Sequence, residues 1–145
     1  MGWGGTVITE LNRQECTDCS RIYYERGRRH MVEAARTAED SYPCDDFFRE
    51  LETSKKKKDR ERLATILMVL EDFAHRELAF PREINNLEDG IRELKPGDVR
   101  LPFFDVPESR AGAVRLTHGF IKGTPWAPRG EIRRAFWVRE EDAKS

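Results

Sequence analysis

The longest regular pattern of apolar residues lies in the middle of the chain and predicts an amphipathic helix. Its members are Leu63, Ile66, Leu67, Leu70, Phe73 and Ala74, at successive spacings of 3, 1, 3, 3 and 1. These spacings place all six on one face of an α-helix. A shorter helix is predicted to begin near Pro43, because proline is tolerated in a first turn and the following Asp45 and Asp46 favour the positive end of the helix dipole. The short link between them predicts an antiparallel helix pair.

The apolar pattern changes from helical to extended after Pro81. Residues 90–95, 99–106 and 113–122 are rich in Val, Ile, Leu and Phe and are separated by short turn sequences, which predict antiparallel hairpins. Residues 31–37 are predicted to form an earlier strand, and 129–142 a closing helix. The predicted fold is therefore α+β: a small antiparallel sheet with its helices, two N-terminal and one short C-terminal, packed on one face.

The first 30 residues show no sustained periodicity and are interpreted as an N-terminal extension, with a short strand at 6–9, before a domain at 31–145. A chain of 145 residues is long enough for one core. It has no apolar stretch of membrane-spanning length and no basic-then-apolar N-terminal segment, so we expect a cytoplasmic protein without membrane association.

Three cysteines leave two interpretations open. Cys16 and Cys19 have the two-residue gap of a zinc knuckle, and His30 and Cys44 are available to complete four ligands. A zinc site more usually has a second close pair, which is lacking here. We therefore expect reduced thiols and no metal.

Charge is distributed unevenly, although the formal net charge is only −1. The segment from Arg110 to Arg139 contains seven basic residues and one acid, Glu131. The segment from Glu39 to Glu52 is acidic, with Arg49 as its one basic residue. A one-sided basic segment attracts polyanions such as nucleic acid.

Five segments follow one another in a recognisable order. They are YPCDDFFREL (42–51), the helix through 59–73, LEDGIRELK (87–95), Arg100 with Phe103 and Phe104, and LTHGFIKGTPWAP (116–128). In this order they resemble the RelE/HigB-like toxins of bacterial toxin–antitoxin pairs, particularly the phage-derived HigB-like branch. The similarity covers about three quarters of the chain, from Met31 to about Glu141.

The resemblance implies a compact sheet with two N-terminal helices and a ribosome-dependent mRNA endoribonuclease. It also implies two partners: mRNA on the ribosome, and a cognate antitoxin that commonly carries a helix-turn-helix. In such cleavage the ribose 2′-hydroxyl attacks the adjacent phosphorus. The reaction needs a proton acceptor, positive charge around the phosphorus and a proton donor for the leaving oxygen. No metal or other cofactor is required.

Carried onto this sequence, the resemblance assigns the catalytic roles to Arg100, His118 and Lys122. Arg100 is expected to hold the phosphate with its planar donors. His118 has an ordinary pKa that suits proton transfer at neutral pH, and Lys122 matches the first of two family lysines, the second of which is Gly123 here. The predicted RNA-binding residues are Arg92, Lys95, Arg115, Arg129 and Arg133.

Each assignment has a structural alternative. In an unbroken strand His118 and Lys122 face the core, unless a bulge at Gly119 reverses the later residues. Arg100 has an ion pair with Glu93 as its alternative. Trp126 and Trp137 suit either base stacking or packing. Pro102 predicts an edge strand or a bulge. A catalytically weak RNA- or ribosome-binding protein and a phage-derived protein-interaction module remain the alternative functions.

Overall fold

The computed structural model describes residues 13–15, 21–123 and 128–145. In chain order the elements are β1 (Gln14–Glu15), β2 (Ile22–Arg26), β3 (Met31–Ala34), α1 (Pro43–Thr53), α2 (Lys57–His75), β4 (Ile84–Glu88), β5 (Ile91–Leu94), β6 (Val99–Asp105), β7 (Ala113–Leu116), β8 (Phe120–Ile121) and α3 (Arg129–Lys144). The fold is α+β, as predicted.

One sheet organises the described part of the chain. Its strand order is β1-β2-β3-β7-β6-β5-β4, and β8 pairs separately with β6. The hairpins β5–β6 and β6–β7 are antiparallel, as predicted. The prediction of a wholly antiparallel sheet is wrong, because β3 and β7 pair in parallel. This pair joins distant parts of the chain, so no local turn sequence indicated it.

Helices α1 and α2 cover one face of the sheet. The predicted stripe of α2 is confirmed, because Leu63, Ile66 and Leu70 are fully buried. They join Phe48 and Leu51 of α1 in a core that includes the sheet residues Val32, Leu101, Phe103, Val114 and Leu116. Successive strand residues point to opposite faces, so this core contains every second residue of β6 and β7.

Helix α3 packs on the opposite face of the sheet. Its Ala135 and Val138 are buried against Met31, Ile91 and Phe104 in a second apolar cluster. The expectation that all helices share one face is therefore wrong. Met31 of β3, Ile91 of β5 and Phe104 of β6 are apolar on this side, and they need a cover. The closing helix predicted at 129–142 is confirmed, and α3 spans Arg129–Lys144.

The sheet continues across the boundary predicted at residue 30. Strand β2 pairs with β3, and Tyr24 is buried in the main core, where its hydroxyl donates to Asp45 at 2.8 Å. Arg13 forms ion pairs with Asp45 and Glu52 of α1. These contacts join described residues before position 30 to the domain. The strand predicted at 6–9 lies outside the described residues.

Pro102 lies in an interior strand, so the prediction of an edge position is wrong. Strand β6 has β5 on one side and β7 with β8 on the other. The Pro102 carbonyl accepts a hydrogen bond from the backbone N–H of Thr117 at 2.8 Å. In an antiparallel strand the backbone N and O of one residue face the same neighbour. The Pro102 nitrogen, which has no hydrogen to donate, therefore faces the chain just after the end of β7, where no ladder hydrogen bond is lost.

Candidate functional site

A one-residue bulge between β7 and β8 determines which side chains share a face. Leu116 pairs with Phe103, and Phe120 pairs with Arg100. Between these two pairs, residues 117–119 lie opposite only residues 101 and 102. The bulge expected at Gly119 is thus confirmed, and the side chains after it are reversed. Phe120 and Lys122 consequently share the face of Arg100.

Gly119 is required at the bulge because the main chain there passes directly over α1. A Cβ atom at this position would lie 2.3 Å from the Phe47 ring. Real Cβ contacts are never that short, so any larger residue would displace either the ring or the bulge.

Four charged residues from neighbouring strands meet on the face that the bulge creates; we call them the Glu93 cluster: Glu93, Lys95, Arg100 and Lys122. Glu93 is 5% exposed, and its Oε1 atom has no hydrogen-bond partner among the described residues. Burial raises the pKa of Glu93. The charges of Arg100, Lys95 and Lys122 and a hydrogen bond with Asn85 act on this pKa in the opposite direction, so all three cations lie near the carboxylate.

Arg100 is held by the backbone rather than by an acid. Its Nη1 donates to the carbonyls of Gly97 at 2.8 Å and Val99 at 2.7 Å. It makes no ion pair within the described residues, so the alternative of an ion pair with Glu93 is not formed. Arg100 is only 8% exposed, and the N–H groups that these two bonds do not use remain for an anion.

The two lysines of the cluster are attached through main-chain contacts. The Lys95 Nζ donates to the Pro81 carbonyl at 3.1 Å. The Lys122 backbone N–H donates to the Asp98 carbonyl at 2.7 Å, and its side chain is half-buried. The charges of both lysines lower the pKa of Glu93, and neither lysine forms an ion pair in the part of the chain described. The cluster has the composition of an oxyanion site: several cations around one perturbed carboxylate.

His118 lies beside the cluster but is completely buried. Its Nδ1 is 2.9 Å from the Thr117 hydroxyl and its Nε2 is 3.2 Å from Glu131 Oε1. Its ring also stacks on Phe120, with the centroids 5.7 Å apart. The carboxylate of Glu131 favours a protonated ring, but burial outweighs it, and burial with the nearby Arg134 charge lowers the pKa of His118 to about 3. The imidazole is neutral at pH 7 and does not reach solvent.

We expect His118 to destabilise the protein as pH falls. Its folded pKa is below the unfolded value of 6.5, so the unfolded state binds a proton that the folded state does not. The contribution of His118 to stability is therefore fully present above pH 6.5. As the pH falls from there towards the folded pKa, this contribution decreases by up to about 1.4 kcal/mol per pH unit. Urea unfolding at several pH values should show this slope, and His118→Gln should reduce it. An equal slope in both proteins would contradict the assignment.

Two predicted RNA-binding arginines lie outside the cluster. Arg92 sits on the face of α1 and α2, where it forms an ion pair with Asp105 at 2.9 Å and lies over the Phe103 ring. Arg115 bonds Glu33 at 2.9 Å and Asp142 at 2.7 Å in a largely buried network under α3. Both guanidinium groups therefore have carboxylate partners within the protein.

The remaining predicted residues are on α3 or outside the described chain. Arg129 and Arg133 are exposed and line a cavity of about 210 Å³ with Glu88, Ile132 and Phe136. Cys16, Cys19 and Trp126 lie outside the described residues. Within the described ranges, no three His, Cys, Asp or Glu side chains come together as metal ligands would.

Sequence reasoning gave Glu93 no catalytic role. The sequence indicates Glu93 only as an ion-pair partner for Arg100. One signal was present: Glu93 and Lys95 are two positions apart, so they share a face in any strand.

Comparison with models of known protein families finds no match, and comparison with curated proteins finds no similar sequence. Among the described residues, no helix is both long and apolar enough to cross a membrane.

Proposed function

We propose that the chain is the toxin of a toxin–antitoxin pair and acts as a ribosome-dependent mRNA endoribonuclease with a RelE/HigB-like fold. The observation that supports this most directly is the Glu93 cluster, in which three cations from separate segments surround one buried carboxylate. A phosphodiester is an anion whose charge increases as a fifth oxygen bonds to phosphorus. A site of this composition stabilises that charge.

The proposed reaction uses side chains of the cluster. Arg100 and Lys95 bind the non-bridging oxygens of the scissile phosphate. Glu93 accepts the proton of the ribose 2′-hydroxyl as the O2′–P bond forms, and Lys122 donates a proton to the 5′-oxygen as the P–O5′ bond breaks. The products are a 2′,3′-cyclic phosphate and a free 5′-hydroxyl.

His118 has a different role in this proposal from the proton transfer predicted for it. A buried ring with a pKa of about 3 holds no proton to donate at neutral pH. It instead connects the bulge at Thr117 to Glu131 of α3 and supports Phe120, which lies opposite Arg100. His118 therefore positions the strand that carries Lys122.

The antitoxin is proposed to bind α1. Segment 39–52 is acidic, and the protein's own Arg13 already pairs with Asp45 and Glu52 there. Asp46 and Glu50 remain exposed and are one helical turn apart. A basic segment of the antitoxin would complement these two carboxylates.

Inducible expression in a bacterium tests the proposed function. Wild-type protein should arrest growth and fragment mRNA, and Arg100→Gln should lower cleavage by purified protein on ribosomes about 10²-fold, because it removes charge from the phosphate site. Arg100→Lys should retain part of the activity, since it keeps the charge but loses the planar donors. Arg82→Gln, at an exposed position, is the control. Normal growth with intact transcripts, despite abundant folded protein, would exclude the nuclease.

A second candidate is a protein that occupies RNA or the ribosome without cleaving. The neutral, buried His118 and the glycine at position 123 favour it, because both depart from the catalytic groups that the resemblance implies. Co-sedimentation with ribosomes without cleavage, abolished by charge reversal of Arg100 and Lys122, would support this candidate over the nuclease.

A further inference from the structure

The first half of α3 presents an aromatic side chain and two arginines together to solvent. Arg133 and Arg134 lie one turn before Trp137, so the three residues are neighbours on the helix surface. Both arginines are exposed, and Trp137 is 52% exposed. We call these three residues the α3 patch.

The α3 patch carries positive charge that the described residues leave unneutralised. Neither Arg133 nor Arg134 forms an ion pair within the described chain, and the one acid in the first turn, Glu131, contacts His118. After Trp137 the helix carries the acids Glu140 and Glu141, so the basic part of the helix surface does not extend to its C-terminal end. An anionic partner complements this surface.

The exposed ring of Trp137 indicates which kind of anionic partner the α3 patch can bind. Protein interfaces bury contiguous apolar surface around such anchors, whereas the exposed neighbours of Trp137 on the helix are charged. The other large exposed apolar residues of the described chain, Met68, Phe80 and Ile121, are on other elements. A tryptophan ring with two unpaired arginines on its N-terminal side suits a nucleotide, whose base stacks on the ring while phosphates meet the guanidinium groups.

The α3 patch is also electrostatically close to the Glu93 cluster. The charge of Arg134 acts on His118, whose ring stacks on Phe120. Phe120 in turn pairs with Arg100 across β6 and β8. The α3 patch and Arg100 are therefore connected through His118 and Phe120, which are both buried.

We propose that the α3 patch is a second RNA-binding surface, on which Trp137 stacks against an unpaired base while Arg133 and Arg134 bind phosphates of the same strand. Its identification as a contact for the RNA substrate rests on the proposed function. The binding itself requires no cleavage. Base stacking tolerates any sequence, so the patch would hold single-stranded RNA without selecting its bases.

Binding of a fluorescein-labelled, 2′-O-methylated oligouridylate of roughly ten nucleotides, followed by anisotropy, tests the proposal. The methylated probe cannot undergo 2′-hydroxyl attack, so binding is measured separately from cleavage. Trp137→Ala should weaken binding roughly tenfold, and Trp137→Phe should recover part of it. Arg133→Gln with Arg134→Gln should reduce the slope of log affinity against log salt by about 1 to 2. Phe80→Ala and Arg82→Gln are matched controls, an exposed aromatic and an exposed arginine off α3.

Fluorescence of a protein whose other tryptophans are replaced, Trp3→Phe with Trp126→Phe, reports on the stacking directly. The probe should quench Trp137 emission. Absent quenching together with wild-type affinity in Trp137→Ala would overturn the proposal, even if cleavage depends on Arg100. Trp137-dependent binding in a protein that cleaves no RNA would support the α3 patch and exclude the nuclease, so the two failures are distinguishable.

Discussion

Glu93→Gln is expected to reduce RNA cleavage about 10³-fold, because it removes the proposed proton acceptor from the Glu93 cluster and leaves in place the cations proposed to bind phosphate. The same substitution is expected to increase the stability of the fold. Glu93 is only 5% exposed, and burial raises its pKa, so the folded state favours the protonated, neutral side chain more than the unfolded state does. Glutamine resembles that neutral form in shape.

The pH dependence of this difference follows from the raised pKa. Between the ordinary value of 4.5 and the higher folded value, the folded state binds more protons than the unfolded state. Wild-type stability therefore declines as pH rises through that window, and Glu93→Gln should lack the decline. Cleavage by the wild type should instead increase over the same window, as the carboxylate ionises.

Urea unfolding and single-turnover cleavage on ribosomes measure the two effects, with the exposed Glu108→Gln as a control. A Glu93→Gln protein that cleaves at the wild-type rate would show that another group accepts the proton. A variant that loses activity and stability together would indicate a structural role for Glu93 instead.

Asp142→Ala is expected to have the largest effect on stability, about 3 to 5 kcal/mol. Asp142 is 3% exposed and accepts hydrogen bonds from Arg21 at 2.6 Å, Arg115 at 2.7 Å and the Arg36 backbone N–H at 2.9 Å. Removing the carboxylate leaves two largely buried guanidinium groups short of their counter-charge. It also releases the C-terminal end of α3 from the sheet.

Equilibrium urea unfolding, followed by circular dichroism, measures this loss. Glu140→Ala is the matched control, because it removes an exposed acid from the same helix and should change stability by no more than about 0.5 kcal/mol. A similar small change in Asp142→Ala would mean that the buried ions are neutralised in another way.

The helices were predictable from the sequence because their signals are local. The apolar period of α2 and the proline with two acids at the start of α1 lie within the elements they define. Strands β2 and β4 were not predicted, since IYYER and INNLE contain polar residues that conceal their half-buried positions. Their strand identity depends on β3 and β5, which supply the hydrogen-bonding partners.

The candidate site was predictable only in part, for a similar reason. Arg100 and Lys122 come together because of the bulge, which Gly119 had indicated. Arg115 instead bonds acids 82 and 27 positions away in the chain, and no local pattern reveals such partners. His118 was expected to titrate near neutrality, but its pKa depends on enclosure by residues of β8 and α3.

The additional residue between Leu116 and Phe120 also bears on how this protein tolerates change. A deletion of one position there would restore the alternation of an unbroken strand, leaving the apolar core its partners but turning the Lys122 ammonium to the far side of the sheet. Substitution within 117–119 is also restricted, because Thr117 and His118 are completely buried and the position over Phe47 has no room for a side chain. Both the number and the identity of these three residues therefore determine where the Lys122 side chain lies.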